Sequence, residues 1–284
     1  MSDAPYINWF PGHMTKTRRQ MEKDISLVDA VVEIIDARIP NSSRNPDLPK
    51  IVGNKPVIIL LNKCDMADSM VTEKWISFFG GQGIYALPVD CKTGKGLDAF
   101  KTTVKKILEN KLLSYEKKGM AGKSIRVMVA GIPNVGKSTF INRMVGANKA
   151  VAQNRPGVTR GNQWYTVDKQ LEILDTPGIL WPKFDDKTIG EHLAFTGAIK
   201  DSILDTEWIA MRLIEILVEK YPELLIKRYG ELDLTVNSYE ILEQLAAKRG
   251  MKIRGGEYDT LRAAESLLEE FRNCKIGKIS LESV

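Results

Sequence analysis

Apolar residues in this chain fall into short runs bounded by turn formers and separated by stretches of helical spacing. VVEIID (31–36), PVIILLN (56–62), IYALPVD (84–90), SIRVMVAG (124–131) and LEILD (171–175) are short and rich in β-branched residues, which predicts strands. LDAFKTTVKKILENKLLSYEKKG, between the third and fourth runs, reads as helix. Strands alternating with helices give a mostly parallel α/β sheet with helices on both faces. From about His192 the strands stop. LAFTGAIKDSILDTEWIAMRLIEILVEKY, SYEILEQLAAKRG and DTLRAAESLLEEFRNC repeat apolar residues every three or four positions, with Gly near their ends, so a helical region follows. The change of pattern places a boundary at 186–192 and divides the chain into an α/β domain with a basic N-terminal segment, 1–188, and a small all-helical domain, 189–284.

Composition narrows the class. With 284 residues, 43% hydrophobic and 27% charged, the chain can build two packed cores and is not disordered. Its apolar runs fall far short of the roughly 18 residues of a membrane span. MSDAPYINW lacks the layout of a signal peptide, and a cytoplasmic protein is expected. Cys64, Cys91 and Cys274 are scattered and odd in number, which favours neither a zinc cluster nor a disulfide framework. The net charge of +5 is uneven: residues 193–284 hold 13 Lys and Arg against 16 Asp and Glu, so the surplus lies upstream. HMTKTRRQMEK near the start and KRGMKIRGG at 248–256 are dense in cations, a pattern that suits either solvated faces or RNA phosphates.

The sharpest motif is GIPNVGKS, in which Gly131, Gly136, Lys137 and Ser138 fit G-x-x-x-x-G-K-S between a strand and a helix. Glycines let such a loop turn its N–H groups toward phosphate oxygens at a helix N-terminus, with Asn134, Val135 and Thr139 completing the backbone cradle. Lys137 would reach the β- and γ-phosphates and Ser138 would ligate Mg²⁺. DTPG (175–178) ends the next strand: Asp175 suits Mg²⁺ through water and the Gly178 N–H suits the γ-phosphate. Thr159, in RPGVTR, lies between the two and could cover the γ-phosphate while adding a Mg²⁺ ligand.

NKCD (62–65) also follows a strand. The Asp65 carboxylate can accept from the ring N–H and the exocyclic amine of guanine, whereas adenine would turn a lone pair toward it. A site built on such bonds rejects an analogue lacking them by about 10⁴-fold or more. Asn62 would tie neighbouring loops together, Lys63 would lay its stem on the base, and Cys64 lies between Lys63 and Asp65. Asp90, Cys91 and Lys92 form a second base loop, with the Cys91 N–H expected to face the guanine oxygen.

These elements resemble those of the translation-factor-related GTPases in cyclically permuted order, base loops first and phosphate loops after. With NWFPGHMTKTRR at the start, DARIPNSSRNP at 36–46 and a helical C-terminal region, the chain is similar to the circularly permuted GTPases of bacterial ribosome biogenesis over almost its whole length. The resemblance implies a monomeric GTP/GDP- and Mg²⁺-dependent GTPase acting on large ribosomal subunit precursors, both rRNA and protein, in a late step of 50S assembly. Neither membrane nor DNA is an implied partner. Ile179 and Leu180 stand where Ras-type proteins carry a water-orienting glutamine. The resemblance offers His13 for that duty, a residue that equally suits a helix cap or an RNA contact. It also offers Asn134 as a K⁺ ligand, against a purely backbone-shaping role. A nucleotide-gated RNA-binding placeholder with negligible hydrolysis fits the missing glutamine as well. ATP use by the same phosphate loop is opposed by NKCD.

Overall fold

The computed structural model describes residues 13–120, 122–146, 163–178, 180–181 and 186–284, with only the backbone of 13, 14, 16 and 17. These fall into two compact units: the sheet with its helices, joined by the last three residues Glu282–Val284, and the helical region ending at Leu281. The expected division at 188/189 cuts a helix that belongs entirely to the second unit, and it misplaces the tail.

The first unit runs α1(His13–Asp24), β1(Ala30–Asp36), α2(Leu48–Val52), β2(Val57–Asn62), α3(Ser69–Gly81) and β3(Tyr85–Val89). It continues through α4(Leu97–Ile107), α5(Glu109–Lys117), β4(Ile125–Ala130), α6(Lys137–Val145), β5(Gln163–Asp168) and β6(Leu171–Asp175). Among the described residues, six strands form one sheet in the order β3-β2-β1-β4-β6-β5. All pairings are parallel except β5 with β6. Strand β5, QWYTVD, has only Tyr165 fully buried, and so lacks the apolar run that marks the other five.

β1 is buried along its whole length, as a central strand covered on both faces must be. On one side Ile35, Ile59, Leu61 and Ala86 meet Trp75 and Phe79 of α3. Phe100 of α4 and Phe140 of α6 pack edge to face at 5.2 Å. Asp68 caps α3 by accepting from the N–H groups of Met70 and Val71.

The tail closes on the same unit. The Glu282 carboxylate accepts from the N–H of Asn41 at 2.6 Å, the N–H of Ser42 at 3.0 Å and the Ser42 hydroxyl. The Glu282 carbonyl accepts from the Trp75 indole at 3.4 Å.

The second unit contains α7(Lys187–Phe195), α8(Thr206–Lys220), α9(Pro222–Tyr229), α10(Ser238–Lys248) and α11(Thr260–Arg272). Asp205, Asn237 and Asp259 cap α8, α10 and α11. Leu213, Ile214, Leu217, Leu242, Leu245, Leu267 and Phe271 make its core. Glu270 is a polar hub that accepts from Arg228 Nε at 2.8 Å, the Tyr229 hydroxyl at 2.9 Å and Arg249 at 2.6 Å. Arg249, counted above within a cationic run, is therefore committed to Glu270.

Candidate functional site

The site lies where the carboxyl ends of β1, β2, β3, β4 and β6 meet, the crevice in which open α/β sheets take ligands. Residues 131–136 turn out of β4 and enter α6 at Gly136, which has φ 108° and leaves the N-terminus without a side-chain cap. The first-turn N–H groups therefore have no side-chain oxygen, which suits an anion. A Cβ on Gly136 would lie 2.2 Å from Asn62 Nδ2, and one on Gly131 would lie 2.6 Å from the Ile34 carbonyl oxygen. Glycine is demanded at both positions by close approach as well as by backbone conformation.

Lys137 is buried and folds back over its own loop, donating to the carbonyls of Gly131 and Ile132 at 3.0 Å each. Burial pushes its ammonium down to about 8, although nearby Asp175 favours the charged form. Burial raises Asp175 in turn, opposed by Lys137 and the Thr176 N–H. Gly178 belongs to the same cluster, since a Cβ there would meet Lys137 Nζ at 2.8 Å and Pro133 N at 2.9 Å. Thr176 fastens this loop by donating to the Val129 carbonyl at 2.6 Å. Ser138 and Thr139 are exposed on the first turn of α6.

Asn62 joins three loops. Its buried amide donates to the Val135 carbonyl at 2.8 Å, and its Oδ1 accepts from the Cys91 N–H at 3.0 Å. The Cys91 N–H thus braces Asn62 instead of facing outward as expected, because the buried Asn oxygen requires a donor. Lys63 donates to the Asn134 carbonyl at 3.2 Å. Asp65 is exposed at the rim. In the second base loop Asp90 accepts from the Lys92 N–H at 2.8 Å and the Thr93 hydroxyl at 2.5 Å. Burial alone would raise Asp90, but the Thr93 and Lys92 donors hold it low. Arg143 of α6 donates to the Thr93 carbonyl, a further link between phosphate and base sides. Burial raises the thiols of Cys64 and Cys91, the latter to about 12, so neither is a ready nucleophile.

The structure therefore gathers Asn62, Lys63, Asn134, Val135, Gly136, Lys137, Asp175 and Gly178, with Ser138 adjoining, around one crevice. It draws Asp90, Cys91 and Lys92 to its base side through Asn62. His13 opens α1; the preceding Pro11 and Gly12, Thr159 and Ile179 lie outside the described residues. Leu180 is fully buried and cannot orient water. Sequence reasoning missed Thr93, Arg143, Thr176 and the ionic network of Asp36 and Arg38. Only the last had a visible signal, the DAR of 36–38.

A glycine cradle at an uncapped helix start, a lysine folded over it, and an Asn-Lys-x-Asp loop bound to it define a P-loop GTPase. Its base loops precede its phosphate loop, so it is circularly permuted. A family model described as 50S ribosome-binding GTPase matches residues 126–242, a span that starts in the phosphate strand and leaves out the base loops upstream. The ribosome biogenesis GTPase A of Priestia megaterium is 46% identical over 277 residues, covering 97% of this chain and 96% of that protein. That of Thermotoga maritima is 32% identical, covering 97% and 94%. A GDP-bound TM YlqF structure matches with TM-score 0.67 at 29% identity, covering 93% of this chain and 99% of that one. GNP-bound YlqF from T. maritima matches at 0.65 and 30%, covering 94% and 98%. The chain belongs to the ribosome biogenesis GTPase A family. It is a ribosome-assembly GTPase that binds guanine nucleotide.

Proposed function

We propose that the chain binds large-subunit precursors and promotes a late step of 50S assembly, cleaving GTP to GDP and phosphate when the particle activates it. The observation that carries this reading is the Asn62 bridge between the NKCD loop, the Asp90–Lys92 loop and the phosphate loop, which makes them one site.

The residues present suit the nucleotide and a Mg²⁺ ion. Asp65 reads the base edge and the stem of Lys63 lies along the base. Cys64 and the Asp90–Lys92 loop shape the base side, and the backbone from Asn134 to Thr139 receives phosphates. Lys137 supplies positive charge there. Ser138 and Thr159 would hold Mg²⁺ directly and Asp175 through water, a set of hard oxygen donors. When bound, the ion would neutralise negative charge on the phosphates. Gly178 directs its N–H to the γ-phosphate. Asn134 would hold K⁺, which would supply positive charge beside the phosphates, and His13 would orient or deprotonate the attacking water once the particle fixes its position. The helical region 189–284 contacts RNA with cations that include Lys248, Lys252 and Arg254. The protein works as a cytoplasmic monomer; no helix among the described residues is long and apolar enough to cross a membrane.

The buried Leu180 favours a second reading, a nucleotide-gated placeholder with negligible turnover. GTP turnover with and without large-subunit precursors, in potassium and in sodium, comparing wild type with His13→Ala, separates the two. Stimulation by the particle and potassium, lost in His13→Ala, supports the first. Slow turnover indifferent to the particle supports the second.

A further inference from the structure

The DAR segment at 36–38 has no role in the site as built so far, yet it touches the base loop directly. Asp36 ends β1 as the register partner of Asn62, and the N–H of Ala37 donates to the Asn62 carbonyl at 2.8 Å. The Asp36 carboxylate is buried. Its Oδ1 accepts from Arg38 Nε at 2.9 Å and the Arg38 N–H at 3.1 Å, and its Oδ2 accepts from Arg38 Nη2 at 2.8 Å. A single buried carboxylate held in this way by a guanidinium is already neutralised.

The same Oδ2 nevertheless accepts a second cation, Lys63 Nζ, at 2.9 Å. Lys63 is unusual in another respect. It has φ 60°, and its ammonium also donates to the carbonyl of Asn134, which has φ 58°. Left-handed backbone in non-glycine residues persists where surroundings over-determine it, and such positions cluster at functional sites. Here one ammonium links two of them, one in the base loop and one in the phosphate loop.

Asp36 is itself rigid: its N–H donates to Ser43 Oγ at 3.0 Å, and the following loop is held by Glu33, which accepts from Arg44 Nε and the Asn45 N–H at 3.0 Å each. The anchor is therefore preorganised before Lys63 meets it. Fixing the flexible end of a lysine stem beforehand lowers the entropic cost of laying it along a base.

We propose that Asp36 is a positioning residue of the nucleotide site, fixing the Lys63 ammonium so that its stem forms the platform for the base. This rests on the reading of NKCD as the guanine loop. The effect runs through Lys63 and leaves base identity to Asp65.

The test is a double-mutant cycle on the full chain, reading the dissociation constant of fluorescent GDP for wild type, Asp36→Asn, Lys63→Met and the double variant. Each single change weakens binding about tenfold, and the double variant is no weaker than the worse single one, because contacting residues are not additive. Competition by ATP stays as poor in Asp36→Asn as in wild type. Independent effects, about a hundredfold in the double variant, overturn the proposal. If Asp36→Asn does not fold because Arg38 loses its buried partner, Asp36→Asn combined with Arg38→Met takes the place of the single Asp36→Asn change in the cycle, with the same two outcomes. Asp65→Asn is measured in parallel: unchanged guanine preference there would sink the site reading itself, whereas altered preference with an additive cycle would sink only the role of Asp36.

Discussion

The Asn62 amide donates to the Val135 carbonyl at 2.8 Å, so the base loop and the phosphate loop share a buried hydrogen bond across 73 residues of chain. Asn62→Ala removes this bond and the one from Cys91, leaving a carbonyl and an N–H to find other partners. A loss of about 1–3 kcal/mol in stability is expected. GDP should also dissociate faster while guanine preference persists, because Asp65 is untouched. Urea unfolding and GDP release kinetics measure the two effects.

Gly136→Ala attacks the same bond from the other side. The new methyl would stand 2.2 Å from Asn62 Nδ2 at a residue with φ 108°, so both the side chain and the loop must move. The helical and sheet content seen by circular dichroism should be retained while nucleotide affinity falls by about tenfold or more, equivalent to at least about 1.4 kcal/mol. Calorimetric titration with GDP checks this. Wild-type affinity would show that the loop tolerates a wider turn.

Lys137 makes binding pH-dependent. Its ammonium sits at about 8 without a phosphate partner, and a bound phosphate favours the charged form and raises it. Binding above pH 8 must therefore take up a proton, and GDP affinity should decline as pH rises from 8 to 9. Lys137→Arg remains charged, so its affinity, whatever its absolute value, should lose this decline. Folding has the opposite sign: with the folded value below the ordinary 10.5, the unfolded chain holds more protons between about 8 and 10.5. This group's contribution to stability therefore rises with pH in that window.

Glu282→Ala deprives two backbone N–H groups and the Ser42 hydroxyl of their acceptor. Since Asn41 is exposed and water can replace part of the interaction, the expected cost is about 1 kcal/mol. A lower urea midpoint with unchanged GDP affinity is the anticipated result. Trp75, whose indole meets the Glu282 carbonyl, offers a fluorescence probe of tail release.

The loops with backbone demands were legible in the sequence. A phosphate cradle needs glycine where Gly131 and Gly136 stand, and a guanine reader needs a carboxylate after a strand, so residue type and spacing marked them. β1, β2 and β4 were legible because near-complete burial writes itself as a continuous apolar run, and β3 and β6 because they keep a shorter one. β5 was not, because an edge strand with one fully buried residue carries no such run. Arg143 and Arg249 were hidden for another reason. Whether a cation is solvated or clasped depends on what the fold sets opposite it, and neither is distinguishable by composition from a surface arginine. The attachment of Glu282–Val284 to the sheet unit was equally invisible, its Ser42–Glu282 contact spanning 240 residues.

The strand order has a temporal meaning. β1 to β3 lie together on one side of the sheet and β4 to β6 on the other, and among the described strands the two sides pair only along β1 and β4. During synthesis the base loops are therefore made before the phosphate loops, and GTP can engage both only once the chain has been extended past Asp175 and Gly178. A backbone nick between α5 and β4 would leave two pieces still paired along β1 and β4 and joined by the Asn62–Val135 bond, with the nucleotide as a further rivet between them.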